Sequence, residues 1–354
     1  MEFGISFFPS VGPDDKPATQ YYDEAFQVAE KADDLGFAYV RAIEHYFSAY
    51  GGYSPDPITF LTAVAARTRN VRLITAATIP AFTHPVKLAG KIAMLDNISH
   101  GRVDAGFGRA FLPHEFEAFE ISLEESRERF DEGVQACRLL LTEDAAAFSG
   151  TFHTFGPVRL LPRPAQQPFP PFYVAAASSP ESYEKAGRDG HYLQTALAVS
   201  SLEKTREMLG IYRDAWAAAG HRPGAERIQI SMPFFLADDD ETARRAGEFD
   251  HRKTSGNMLE AVSAWQRVRS TQYAGYEKIA ESVRRTSFDD LVRQNKILAG
   301  SPDTVRKQLD HLVAALGDDL SVALVPHSGN LDPALVNRAL ELFSDSVLPR
   351  MADS

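Results

Sequence analysis

Short runs rich in β-branched and aromatic residues alternate along this chain with longer segments of helical period. That rhythm restricts the fold to parallel strands joined by crossover helices. The strand candidates are residues 2–8, 39–44, 71–79, 102–107, 172–177, 191–197, 228–236 and 321–326. Eight such runs suit a closed (β/α)8 TIM barrel, with a doubly wound open sheet as the alternative. Helical patterns occupy residues 22–35, 56–67, 85–98, 123–141, 180–188 and 202–219. Pro85 and Pro180 suit first helical turns.

Two stretches break the rhythm. Residues 148–170, with Gly150, Gly156 and prolines at 162, 164, 168 and 170, predict a short hairpin and an extended loop. Residues 238–296 are too long for a simple connection between the last two barrel strands and predict an insertion and candidate lid. No repeat or linker divides the chain, so one elaborated domain over 1–354 is expected.

Composition narrows the function. At 354 residues and 44% hydrophobic the chain can bury a large core. Its formal charge of −11 repels polyanions, which argues against nucleic acid. A single cysteine, Cys137, rules out an intramolecular disulfide and fits a reducing compartment, so a cytoplasmic location is expected. The first residues lack the basic region of a leader and are too briefly apolar to span a membrane; they read as a buried strand. On that reading the sequon Asn97-Ile98-Ser99 is a chance match.

Several familiar motifs fail. Gly106-Phe107-Gly108 lacks its third glycine because Phe111 stands there, and His114-Glu115 lacks a second histidine because Ala118 stands there. Phosphate-loop and hydrolase-elbow patterns are absent, and no strand end carries a Schiff-base lysine or paired carboxylates for an aldolase or hydrolase. The acidic run 238–241 suits a helix start better than a metal, and no metal site is expected.

In a barrel the reacting groups sit where strands end. Strand two ends in Glu44-His45-Tyr46-Phe47: either a proton-exchanging histidine with a carboxylate to fix its tautomer and two aromatic walls, or a hydrogen-bonded structural histidine. Strand three ends in small residues, Ala76-Ala77, which admit a flat ligand or simply pack tightly. Strand four ends in Gly108-Arg109-Ala110-Phe111, whose guanidinium suits a phosphate or a structural salt bridge. Strand five runs into Ala177-Ser178-Ser179-Pro180, an anion-binding turn or a plain serine cap. Together they describe an apolar slot with a proton donor, an arginine and an anion site, which matches the rings, ribityl chain and phosphate of a flavin mononucleotide.

At this point the chain resembles the bacterial luciferase-like flavin-dependent monooxygenases. Ala42-Ile43-Glu44-His45-Tyr46-Phe47 is similar to the family segment that carries the active-site histidine. Asn70, Ala76-Ala77, His84-Pro85, Met94-Leu95-Asp96, Ser99-His100-Gly101-Arg102 and Gly106-Phe107-Gly108-Arg109 match its most recognisable stretch. The resemblance implies a cis peptide bond at Ala76-Ala77 against the flavin ring, Arg109 near the phosphate, and Ser178-Ser179 in the phosphate turn. Gly300-Ser301-Pro302-Asp303-Thr304-Val305 resembles the family's last helix start. Two departures stand out: Gly108 replaces a reactive cysteine and Ala175 a glutamate, so light emission is not implied.

The function implied is a two-component monooxygenase. Reduced FMN (FMNH2) from a separate NAD(P)H:flavin reductase would activate O2 as a peroxyflavin and oxygenate a small organic substrate. His45 is expected to transfer the proton with Glu44 orienting it. Tyr46, Phe47, Phe107, Phe111 and Gln194 are expected around the substrate. A homodimer is expected from the same resemblance. The alternatives are F420-dependent hydride transfer on the same barrel and a non-catalytic flavin-binding protein.

Overall fold

The computed structural model describes residues 1–352. Its strands are β1 Glu2–Phe7, β2 Tyr39–Ala42, β3 Arg72–Thr75, β4 Val103–Phe107, β5 Ala146–Ser149, β6 Thr154–Val158, β7 Phe172–Ala175, β8 Tyr192–Ala196, β9 Ile228–Leu236, β10 Leu298–Gly300 and β11 Leu320–His327. Strands β1, β2, β3, β4, β7, β8, β9 and β11 pair in that order, all parallel, and the β11–β1 pairing closes the ring. With helices between successive strands this is the expected (β/α)8 barrel, not an open sheet.

The strands read as continuous apolar runs because both faces are covered, as in β11, LSVALVPH. Their outward residues meet helices patterned for burial: in Pro302–Leu316, Val305, Leu309, Leu312 and Leu316 form one buried stripe. Inside the ring the fit is close. A Cβ on Gly4 would meet the Tyr39 ring at 2.3 Å, so the first strand needs glycine where the second places a tyrosine. Tyr39, Ile74 and Ala323 make a separate cluster within the barrel.

Several boundaries differ from the sequence reading. β3 stops at Thr75 and β7 at Ala175, two to four residues before the β-rich runs end. The chain leaves the sheet there: the Ala76-Ala77 bond is cis, and Thr78 rejoins β4 by donating its N–H to the Gly106 carbonyl at 2.9 Å. A short 3-10 turn, Leu123–Glu125, precedes the helix Ser126–Thr142. β10 was not anticipated; it extends the sheet by pairing with residues 234–236 of the long β9.

The hairpin expected near 148–170 is β5–β6, antiparallel and outside the barrel. The stretch 238–296 opens with the helix Asp240–Ala261, where Asp239 caps the N-terminus by accepting from Thr242 N–H at 2.7 Å. Beyond it Trp265 and Tyr273 pack with Ile79, Leu112 and Phe116 in a second core over the ends of β3 and β4. Cys137 is fully buried on the helix Ser126–Thr142. No helix among the described residues is long and apolar enough to cross a membrane.

Candidate active site

The C-terminal ends of the barrel strands open into a cavity of about 860 Å³, near the upper end of the roughly 300–1,000 Å³ usual for small-molecule and cofactor sites. One end gathers several cationic side chains, and the other is tightly built with a single buried arginine, Arg41.

At the cationic end Ser178 and Ser179 line the cavity where β7 turns into the helix Pro180–Arg188. Ser179 holds the N-cap position, yet its hydroxyl makes no capping hydrogen bond, so the plain cap is not what this serine does. Arg109 also lines this end and has no carboxylate within 4 Å among the described residues. It donates to the Gln272 carbonyl at 3.1 Å and lies 4.3 Å over the Tyr273 ring. The salt bridge left open for Arg109 is therefore not formed, and its partners come from the insertion. Arg127, Arg138 and Lys185 add positive charge. Lys185 is neutralised by Asp189 at 2.7 Å, and Arg127 reaches Glu181 at 3.5 Å.

At the other end β4 has to come very close to β3. A Cβ on Gly106 would sit 1.9 Å from the Thr75 carbonyl oxygen, which only glycine avoids. Thr75 Oγ1 accepts from Gly106 N–H at 2.7 Å and locks the pair. Gln194 reaches across from β8 and donates its Nε2 to Thr75 O at 3.1 Å. Its Oε1 faces the same cavity region, fully buried, with no hydrogen-bond partner. A buried amide oxygen without a donor is uncommon in a finished core, and it suits a ligand N–H. Ala76 completes this wall; Ala77 and Gly108 lie behind it, packed on each other, and do not line the cavity.

His45 packs against Phe8 and Phe111, ring centres 6.0 and 5.7 Å away, and both of those rings line the cavity. Its Nδ1 lies 2.9 Å from Glu115 Oε1, which also accepts from Tyr46 N–H at 2.9 Å. With an ionised carboxylate, which can only accept, Nδ1 would be the donor; Nε2 has no hydrogen-bond partner among the described residues. Glu115 has no exposed surface, and its second oxygen is unpartnered.

Glu44, the expected orienting residue, does not touch the His45 ring; Glu115 takes that place. Successive residues leaving β2 point to opposite sides, and Glu44 turns away to accept from Tyr46 Oη–H at 2.7 Å and Ile79 N–H at 3.1 Å. Burial pushes its carboxyl up to about 8. Three expected pocket residues also lie elsewhere. Tyr46 packs on Phe82 and Phe119, and Phe47 is 66% exposed. Phe107 is buried against Phe172 because β4 turns Gly106 inward and its neighbours outward. Phe111 and Gln194 do line the cavity, as do Ala76, Arg109, Ala177, Ser178 and Ser179. Glu115, Arg41 and Tyr273 were missed; the arginine within the apolar run 39–43 was the signal the sequence carried.

The residues suit a flavin: one end has a serine hydroxyl not used in capping and a guanidinium without a carboxylate partner, and the other has a flat wall and an unsatisfied buried acceptor.

The comparisons point the same way. The chain is 46% identical to RslO1, a monooxygenase from Streptomyces bottropensis, over 99% of each chain with a TM-score of 0.90. It is 25% identical to the oxygenating constituent of 3,6-diketocamphane monooxygenase from Pseudomonas putida, a type II Baeyer-Villiger enzyme solved with FMN, over 99% of this chain and 98% of that one, with a TM-score of 0.81. It is 30% identical to the oxygenase component of flavin-dependent trigonelline monooxygenase from Acinetobacter baylyi over 70% of this chain and 68% of that protein. The luciferase-like monooxygenase family matches residues 1–319, and the chain is a member of that family.

Proposed function

We propose that this chain is the oxygenase of a two-component system that takes reduced FMN from a separate NAD(P)H:flavin reductase and uses O2 to oxygenate a small organic substrate. The observation that carries this reading is that a single cavity joins Ser178, Ser179 and Arg109 at one end to Ala76 and the orphan Gln194 oxygen at the other. Two similar proteins being the oxygenating part of their systems supports the separate reductase.

The electrons that activate oxygen would come from bound reduced FMN. The protein's own part is positional. Ser178, Ser179 and Arg109 would hold the phosphate and Gln194 would face the ring system, while Phe8 and Phe111 exclude water. His45, held by Glu115 through Nδ1, exchanges a proton at Nε2 at the edge of that apolar wall. The insertion keeps Arg109 in place through Gln272 and Tyr273 and roofs the phosphate end. Assembly as a homodimer belongs to the same proposal and is read by light scattering.

The test is a set of fluorescence titrations with FMN, riboflavin and F420. Binding of FMN at least about tenfold tighter than riboflavin, and tighter than F420, is expected from a phosphate held by charged groups. Equal affinity for FMN and riboflavin, or preference for F420, would overturn the assignment. Oxygen uptake that requires an added flavin reductase then separates an enzyme from a non-catalytic flavin carrier.

A further inference from the structure

Arg41 is an unusual residue to find inside this barrel. β2 alternates Tyr39 inward, Val40 outward, Arg41 inward, and Arg41 lines the inner end of the cavity while being 5% exposed. Its Nε donates to Ser6 Oγ on β1 at 3.0 Å. Among the described residues no carboxylate lies within 4 Å of the guanidinium, and the two terminal nitrogens have no protein acceptor. Burial holds its proton affinity down, to about 10, which marks a cation short of partners.

The chain shows how it treats arginines that are only structural. Arg102 donates to the carbonyls of Ala65, Thr68, Val71 and Ser99. Arg163 reaches the carbonyls of Leu140, Leu141, Thr142 and Glu143. Arg72 is paired with Asp104. Each is saturated; Arg41 is not. The acidic residues that line the cavity, Asp131 and Asp189, both lie within 4 Å of Lys185, on the phosphate side. The phosphate turn follows β7, three strands round the ring from β2, so one phosphate does not account for both cationic loci. Around Arg41 the cavity is small and neutral: Ser6, Ile43, Ala76, Gln194 and Ser231. A planar guanidinium with its end nitrogens free presents two parallel N–H donors, which match the two oxygens of a carboxylate or the delocalised oxygen of an acidic enol or phenol.

We propose that Arg41 is a specificity-determining residue that anchors an acidic oxygen group of the organic substrate, so that the substrates of this enzyme are organic anions. The proposal rests on the cavity being the shared flavin and substrate chamber. It places the substrate's acidic end at the floor near β1 and β2 and turns the rest of the molecule towards Phe8, Phe111 and His45.

Matched probes test it: benzoate with benzamide, 1-naphthoate with 1-naphthamide, and 4-nitrophenol above its pKa with 4-nitroanisole. Each is titrated into wild type, Arg41→Gln and Arg41→Lys by calorimetry, with and without FMN. Wild type should bind at least one anion about tenfold or more tighter than its neutral partner, Arg41→Gln should reduce that preference to within about twofold, and Arg41→Lys should keep part of it. FMN affinity should change by less than about threefold in Arg41→Gln. Circular dichroism checks that the variants fold, and Arg41→Lys retains the charge if the glutamine variant does not. No preference for any anion in wild type, or a preference that survives in Arg41→Gln, overturns the proposal. Loss of FMN affinity with the probe preference unchanged also overturns it, and would assign Arg41 to the flavin instead. Failure of wild type to bind FMN counts against the flavin reading alone, because the probe titrations also run on flavin-free protein.

Discussion

Replacing Glu115 tests how the proton-transfer histidine is held. Glu115→Ala removes two charge-assisted hydrogen bonds, to His45 Nδ1 and Tyr46 N–H, both 2.9 Å long and made by a carboxylate with no exposed surface. Each such bond contributes about 1.5–3 kcal/mol net, so a loss of about 3–6 kcal/mol follows from the bonds alone. The wild-type carboxylate already carries one buried oxygen with no partner, a cost the alanine variant no longer bears. The expected loss therefore lies near the lower end, about 3 kcal/mol. Glu115→Gln keeps an amide oxygen in the same place to accept both bonds and should stay within about 1 kcal/mol of wild type. Activity should separate from stability. A neutral partner no longer stabilises a charged imidazole, so Glu115→Gln should reoxidise photoreduced FMN with an altered pH profile and turn over about tenfold more slowly, and Glu115→Ala about a hundredfold. Urea denaturation gives the first pair of numbers, and stopped-flow reoxidation across pH gives the second. If both variants keep the wild-type pH profile and rate, Glu115 does not position His45. Equal destabilisation by alanine and glutamine would show that charge, not hydrogen bonding, holds the loop.

Three further outcomes are expected. Arg109→Met should weaken FMN by about tenfold or more while leaving riboflavin within about twofold, because the charge removed is the one proposed to meet the phosphate that riboflavin lacks; parallel loss of both ligands would mean that Arg109 merely braces Gln272 and Tyr273. Gly106→Ala drives a Cβ to 1.9 Å from the Thr75 carbonyl, a backbone atom that cannot swing aside, and should cost at least about 3 kcal/mol or abolish soluble expression; a variant within about 1 kcal/mol of wild type would show that β3 and β4 separate easily. Glu44 holds its proton up to about 8 in the folded chain against an ordinary 4.5, so the folded state binds more protons between those values and stability falls as pH rises through them. Glu44→Gln should flatten that slope and be the more stable protein by a few kcal/mol at pH 8, read from thermal melts at pH 5 and pH 8.

Local pattern made much of this protein legible. The alternation of β-rich and helical runs narrowed the fold to parallel strands with crossover helices, since each run carries its own period and the chirality of β-α-β crossovers leaves few ways to join them; the β11–β1 pairing decided for the barrel over the open sheet. Because barrel chemistry gathers at strand ends, reading those ends located Ala76, Arg109, Phe111, Ser178 and Ser179 on the cavity. Parity along β4 would have placed Phe107 outside, since the neighbouring Gly106 takes the inward face against Thr75 and Gln194.

Other features depend on contacts that no local window contains. The histidine at 45 was visible, but its partner lies 70 residues later on another element, and the adjacent Glu44 was the natural but mistaken choice because neighbours in sequence leave a strand in opposite directions. Arg109 could be paired or free on sequence grounds, and only the packing of 271–273 over it decided that it is free of carboxylates. Arg41 reads in the sequence as one polar residue in an apolar strand. Whether such a residue is saturated by carbonyls, as Arg102 is, or left facing a cavity is set by what eight separate strands bring around it. Periodicity belongs to the chain and is local; desolvation and partnering of a charge belong to the enclosed volume, and exist only once the ring has closed.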